Sequence, residues 1–177
     1  MGLYSEMLND QRILMDIGDK EKVLIVTCPG CACESLAYKN GGPCRTLAKG
    51  KDMDSSAAAV EAVRDRWDEK LSSLGKKVSH VTVSFPCEMF ENERRSIIDA
   101  SEGQEIVAVL GCSSAFLAVY RLLKDKNPAK VIPMMKTLGF FALNLVEDET
   151  GSYSVVDKEH SEIFYHTVEK SRAAMRR

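Results

Sequence analysis

The chain has 177 residues, 45% hydrophobic and 28% charged, with a formal net charge of -2 and no apolar run near the ~20 residues that span a bilayer. Neither sign of charge dominates, which removes any broad electrostatic case for nucleic acid or an anionic membrane as partner. The length suits one domain, 1–177, and is short for two.

The opening residues, Met1-Gly2-Leu3-Tyr4-Ser5-Glu6, lack a basic segment leading into an apolar one, so a cytoplasmic protein is expected. Apolar residues at Leu3, Met7, Leu8, Leu14, Met15 and Ile17 have an imperfect helical spacing that predicts a helix over 3–17, ended by Gly18. Next, Val23-Leu24-Ile25-Val26 is a short β-branched run stopped at Pro29-Gly30, as in a strand buried on both faces of a parallel sheet. Residues 28–53 form a cysteine-rich stretch with few large apolar side chains, a loop predicted to borrow its order from a bound metal.

Asp54 or Ser55 caps a predicted helix to about Leu74, with Val60, Val63, Trp67 and Leu71 on its inner stripe. A second strand is read from Val78 to Phe85, a short helix over 91–100, and a third strand from Glu105 to Gly111. Ser113 or Ser114 caps a further helix, and Asn127-Pro128 ends it. Val131-Ile132-Pro133 reads as a strand at or near an edge, because proline cannot donate to the ladder. Residues 142–146 and 153–156 flank a hairpin turn, and Glu159 to about Ala173 is read as a closing helix. The fold class expected is α/β: a Rossmann-like or flavodoxin-like parallel sheet with helices on both faces, then a β-hairpin and a helix.

Six cysteines in a reducing compartment are expected to be free thiols available for metal or redox chemistry. Three of the predicted strands run into cysteine, at Cys28, Cys87 and Cys112. Right-handed crossovers put the carboxyl ends of parallel strands on one edge, and strands ~4.8 Å apart in the order 2-1-3 bring the three thiols together. Cys31 completes a Cys-x-x-Cys turn and is the natural fourth ligand. Four thiolates suit an iron-sulfur cluster or a structural zinc alike, and Cys33 and Cys44 remain as spare ligands, a second centre or inert thiols. Two readings without a four-thiol metal are buried structural cysteines and a thioredoxin-like thiol redox enzyme using Cys28 and Cys31. No phosphate loop, dinucleotide fingerprint or Ser-His-Asp order is present. Glu88, Lys136, His80, His160 and His166 read as ordinary solvated or structural residues, and Phe140-Phe141 as core or docking patch.

The Cys-x-x-Cys after the first strand, Gly41-Gly42, Cys87-Glu88, Gly111-Cys112, and Val131-Ile132-Pro133 with Thr137 and Gly139 together resemble the MetV-type family, which accompanies methylenetetrahydrofolate reductases. The resemblance covers about residues 20–140 and departs at Ser35, where another cysteine would stand, and at Lys136, in place of asparagine. It implies a [4Fe-4S] cluster or zinc on Cys28, Cys31, Cys87 and Cys112. It also implies a non-catalytic subunit that passes electrons to, or supports assembly of, a flavin-containing reductase of one-carbon metabolism. The rival from a different class is a four-cysteine zinc module that mediates protein interaction.

Overall fold

The computed structural model describes residues 2–47 and 57–166. The proposed cap at Asp54 or Ser55, the end of the cysteine-rich stretch, and the closing helix beyond His166 lie outside these residues.

Four strands form the parallel sheet: β2 (Lys22–Thr27), β4 (Lys77–Thr82), β5 (Ile106–Leu110) and β6 (Lys130–Pro133), in the order β4-β2-β5-β6. The runs Val23–Val26 and Ile106–Leu110 are buried throughout because each face of the sheet is covered. Val23 and Ile25 pack with Ile13 and Ile17 of α1 (Asp10–Ile17) and with Trp67 and Leu71 of α3 (Ala58–Ser73). Leu24 and Val26 point the other way, onto Ile97 of α4 (Glu91–Ser101) and Val119 and Leu123 of α5 (Ser113–Leu123). Thr27 is level with Thr82 on one side and Leu110 on the other, so the three carboxyl ends share one edge. The strand ending in Pro133 is an edge strand, as its proline requires.

A second, antiparallel sheet has the order β1-β7-β8-β3 and extends well beyond the hairpin expected around residues 142–156. It contains β1 (Gly2–Met7), β3 (Pro43–Thr46), β7 (Met135–Glu147) and β8 (Tyr153–Tyr165). The predicted helix over 3–17 is therefore a strand followed by the shorter α1, which Asn9 caps through its side chain. β1 pairs with β7, and adjacent Tyr4 and Ser5 are both buried, which no local helical pattern announces. Residues 159–165 likewise continue β8 instead of starting a helix: Ser161, Ile163 and Tyr165 are half-buried while Glu162 and Phe164 are exposed, a period of two. Met134 alone separates β6 from β7; its N–H donates to Val109 and its carbonyl accepts from Leu8, so one buried residue joins the two sheets.

The cysteine-rich stretch is more ordered than its composition suggests. It holds α2 (Cys31–Asn40) and β3, and α2 buries Ala32, Cys33, Ser35, Leu36 and Ala37. Small side chains let this helix approach its neighbours closely, so packing contributes to its order. No helix of the described residues is long and apolar enough to cross a membrane.

Candidate functional site

The carboxyl edge of the parallel sheet gathers Cys28, Cys31, Cys87 and Cys112. Cys28 follows β2 directly, and its N–H donates to the Leu110 carbonyl at 3.1 Å, which ties the residue to the end of β5. Its thiol is buried. Burial pushes that thiol up to about 11 against the opposing pull of the Gly30 and Ala32 backbone N–H groups, and the neighbouring Cys31 and Cys87 sulfurs push the same way. Gly111 permits the approach of the two strand ends, since a Cβ there would stand 2.9 Å from that of Ala115 and 3.3 Å from that of Cys28.

Cys31 opens α2, and Cys112 takes the position just before α5. Their thiols are hydrogen-bond partners, and this contact is the leading reason that the Cys31 thiol is raised and the Cys112 thiol lowered to about 7. The Ala115 and Ser114 N–H groups at the start of α5 also pull the Cys112 thiol down. The N–H of Leu3 donates to the Cys31 sulfur at 3.4 Å. Backbone N–H groups thus act on all four sulfurs, that of Cys87 through its own amide.

Cys87 lies exposed on the segment between β4 and α4. Glu93 anchors that segment at both ends: one carboxylate oxygen accepts from the Ser84 N–H at 2.8 Å and the other from the Phe90 N–H at 3.1 Å. Cys31, Cys87 and Cys112 line a cavity of about 670 Å³ shared with Leu3, Leu117 and Phe140, while Cys28 is not on its wall. Among the described residues no group of three or more Cys, His, Asp or Glu side chains is arranged to hold a single metal ion. Three of the sulfurs share the cavity wall and Cys28 stands next to them, with backbone N–H groups acting on all four, a donor set whose chemistry suits an iron-sulfur cluster or zinc alike.

Cys33 and Cys44 do not line this cavity; they are buried and face each other with their sulfurs 3.9 Å apart. The Cys28–Cys31 pair of the thiol-enzyme reading is not the hydrogen-bonded one, since Cys31 partners Cys112. Glu88 lines the cavity and Lys136 is exposed opposite Glu6 in the β1–β7 ladder. His80 pairs with Asp68 at 2.8 Å and His160 with Asp157 at 2.6 Å, and His166 packs edge-on against Phe140. The Phe140-Phe141 pair divides: Phe141 is buried and Phe140 is exposed at the cavity.

Two supporting groups have roles that the sequence pattern does not announce, although Thr137 is among the landmarks of the resemblance. Thr137 accepts the Ser113 N–H at 2.9 Å and lies 3.0 Å from the Ser5 hydroxyl, so β7 and β1 together fix the first turn of α5 beside Cys112. Leu3 acts on Cys31 through a backbone N–H, which any residue but proline possesses. Comparison with protein-family models, with curated proteins and with solved structures finds no match to this chain.

Proposed function

We propose that the protein is an iron-sulfur accessory subunit whose [4Fe-4S] cluster is held by Cys28, Cys31, Cys87 and Cys112. Its task in this reading is to pass electrons to, or support assembly of, a flavin-containing reductase of the methylenetetrahydrofolate-reductase type in the cytoplasm. The observation that carries the reading is the gathering of four thiols, from the end of β2, α2, the β4–α4 segment and the start of α5, at the carboxyl edge of the parallel sheet, three of them on one cavity wall. A bound cluster supplies one-electron transfer there. The chain supplies hydrogen bonds from Gly30, Ala32, Leu3, Ser114 and Ala115, which stabilise negative sulfur. Exposed Leu117 and Phe140 beside the thiols give a partner apolar surface with which to exclude water. The strand order β4-β2-β5-β6, with the first parallel strand inside, supports a flavodoxin-like reading of that sheet.

The deciding experiment is iron and acid-labile sulfide analysis of anaerobically purified protein with its visible spectrum, for wild type and Cys112→Ala. Iron with sulfide and broad visible absorption, lost in the variant, is the expected result. Stoichiometric zinc would return the protein to the structural-module reading. A second reading, a catalytic dithiol, draws on the hydrogen-bonded Cys31 and Cys112 pair at the cavity wall, and folded protein free of any metal would favour it.

A further inference from the structure

The six thiols fall into two groups, and the second has no part in the proposed centre. Cys33 lies in the first turn of α2 and Cys44 in β3, with the two sulfurs 3.9 Å apart and both residues fully buried. The Cys33 thiol donates to the Cys44 carbonyl at 2.9 Å, and the Ala59 and Val60 N–H groups at the start of α3 hydrogen-bond to the Cys33 sulfur. Inert buried cysteines need only apolar packing, whereas this pair is aimed sulfur to sulfur and one member is set against the amino end of a 16-residue helix. A separate cavity of about 460 Å³ reaches the pair's surroundings: Pro43, next to Cys44, and Ala59, whose N–H meets Cys33, are both on its wall.

We propose that Cys33 and Cys44 form a buried redox dithiol that hydrogen peroxide converts to an intramolecular disulfide. The Cys33 sulfur attacks one peroxide oxygen and the O–O bond breaks, giving a sulfenic acid while the thiol proton leaves with the other oxygen as water. The Cys44 sulfur then displaces the sulfenic oxygen, which departs with the second thiol proton as a second water. Two thiols thereby give up two electrons and the peroxide accepts them. The sulfurs close from 3.9 Å to about 2.05 Å as the bond forms. Such a bond ties the first turn of α2, which also carries Cys31, to β3. In a reducing compartment it is transient, as oxidation-sensing disulfides are. The proposal is independent of what the four-thiol edge holds.

The test treats the purified full chain with hydrogen peroxide at a small molar excess, quenches in acid, alkylates under denaturing conditions and maps tryptic peptides. Cys44 lies alone on the peptide Asn40–Arg45, while Cys28, Cys31 and Cys33 share Val23–Lys39. The expected product joins these two peptides, with fragmentation placing the bond at Cys33, and alkylatable Cys44 falls at least tenfold. Repeating the treatment on Cys31→Ala with Cys112→Ala removes the competing pair and should leave the product unchanged. Cys44 that stays fully alkylatable while other cysteines oxidise would overturn the proposal. So would a Cys44 bond to Cys28 or Cys31, or conversion of Cys33 to sulfinic acid without a disulfide.

Discussion

A single atom decides the sharpest residue-level differences. Alanine at Gly139 would place its Cβ against the Phe164 carbonyl of the paired strand β8, and backbone cannot yield as a flexible side chain does. Alanine at Gly103, where φ is +69° and nothing lies within 4 Å, meets only the left-handed penalty. Gly139→Ala is therefore expected to cost about 3 kcal/mol and Gly103→Ala about 1 kcal/mol, read from urea midpoints at constant slope. Equal losses would mean that β7 and β8 are not so closely apposed. At Thr137, replacement by valine keeps the shape and deletes the hydroxyl that accepts from Ser113, so a loss of about 1 to 2 kcal/mol is expected in thermal unfolding. Thr137→Ser, which keeps the acceptor, should lose less.

At the scale of elements, legibility followed the distance to the pairing partner. β2 and β5 were readable because burial on both faces leaves a continuous apolar run, and the cysteines after them told which edge mattered. β1 and the far half of β8 were misread as helix because what makes them strands is β7, to which Ser5 is joined through Thr137 across 132 residues. Cys28, Cys31, Cys87 and Cys112 could be gathered from strand order alone, whereas the Leu3 amide and the Thr137 hydroxyl had no such route. The Cys33–Cys44 contact was hidden for another reason: the stretch lacks large apolar residues, and α2 packs through alanine, serine and cysteine.

The α3–β4 junction gives a pH prediction. His80 on β4 bonds Asp68 on α3 and holds its carboxyl below the usual carboxylate range. A depressed native pKa contributes stability above the unfolded value of ~3.9, and this is lost as pH falls through the native value. The pair is partly solvated, so the contribution is under about 1 kcal/mol. Wild type should exceed Asp68→Asn in urea stability at pH 6, with the gap closing on acidification towards pH 3. A gap that stays constant would show that the ion pair is not its source.

For the whole molecule, the proposed centre joins parts that otherwise meet weakly. The segment carrying Cys87 has exposed Phe85 and Phe90 and is fastened by Glu93, whereas Cys28 and Cys112 extend from buried strands. Removing the metal from anaerobically prepared protein should speed proteolytic cleavage within residues 84–90 at least several-fold and leave the parallel sheet intact, as peptide mapping would show. An unchanged cleavage rate would remove Cys87 from the ligand set.

The seat of β1 beside β7 also has a consequence in time. During synthesis the first strand emerges with its hydrogen-bonding edges bare, and its partner follows only after another 132 residues, counted from Ser5 to Thr137. At ribosomal speed that is a wait on the order of ten seconds, long on the scale of hairpin closure. The parallel strands β2, β4 and β5 are all translated within that interval, while the native Leu3 contact to Cys31 depends on β1 reaching its final place. Loading of the proposed centre before β7 leaves the ribosome would therefore meet an unfinished sulfur environment.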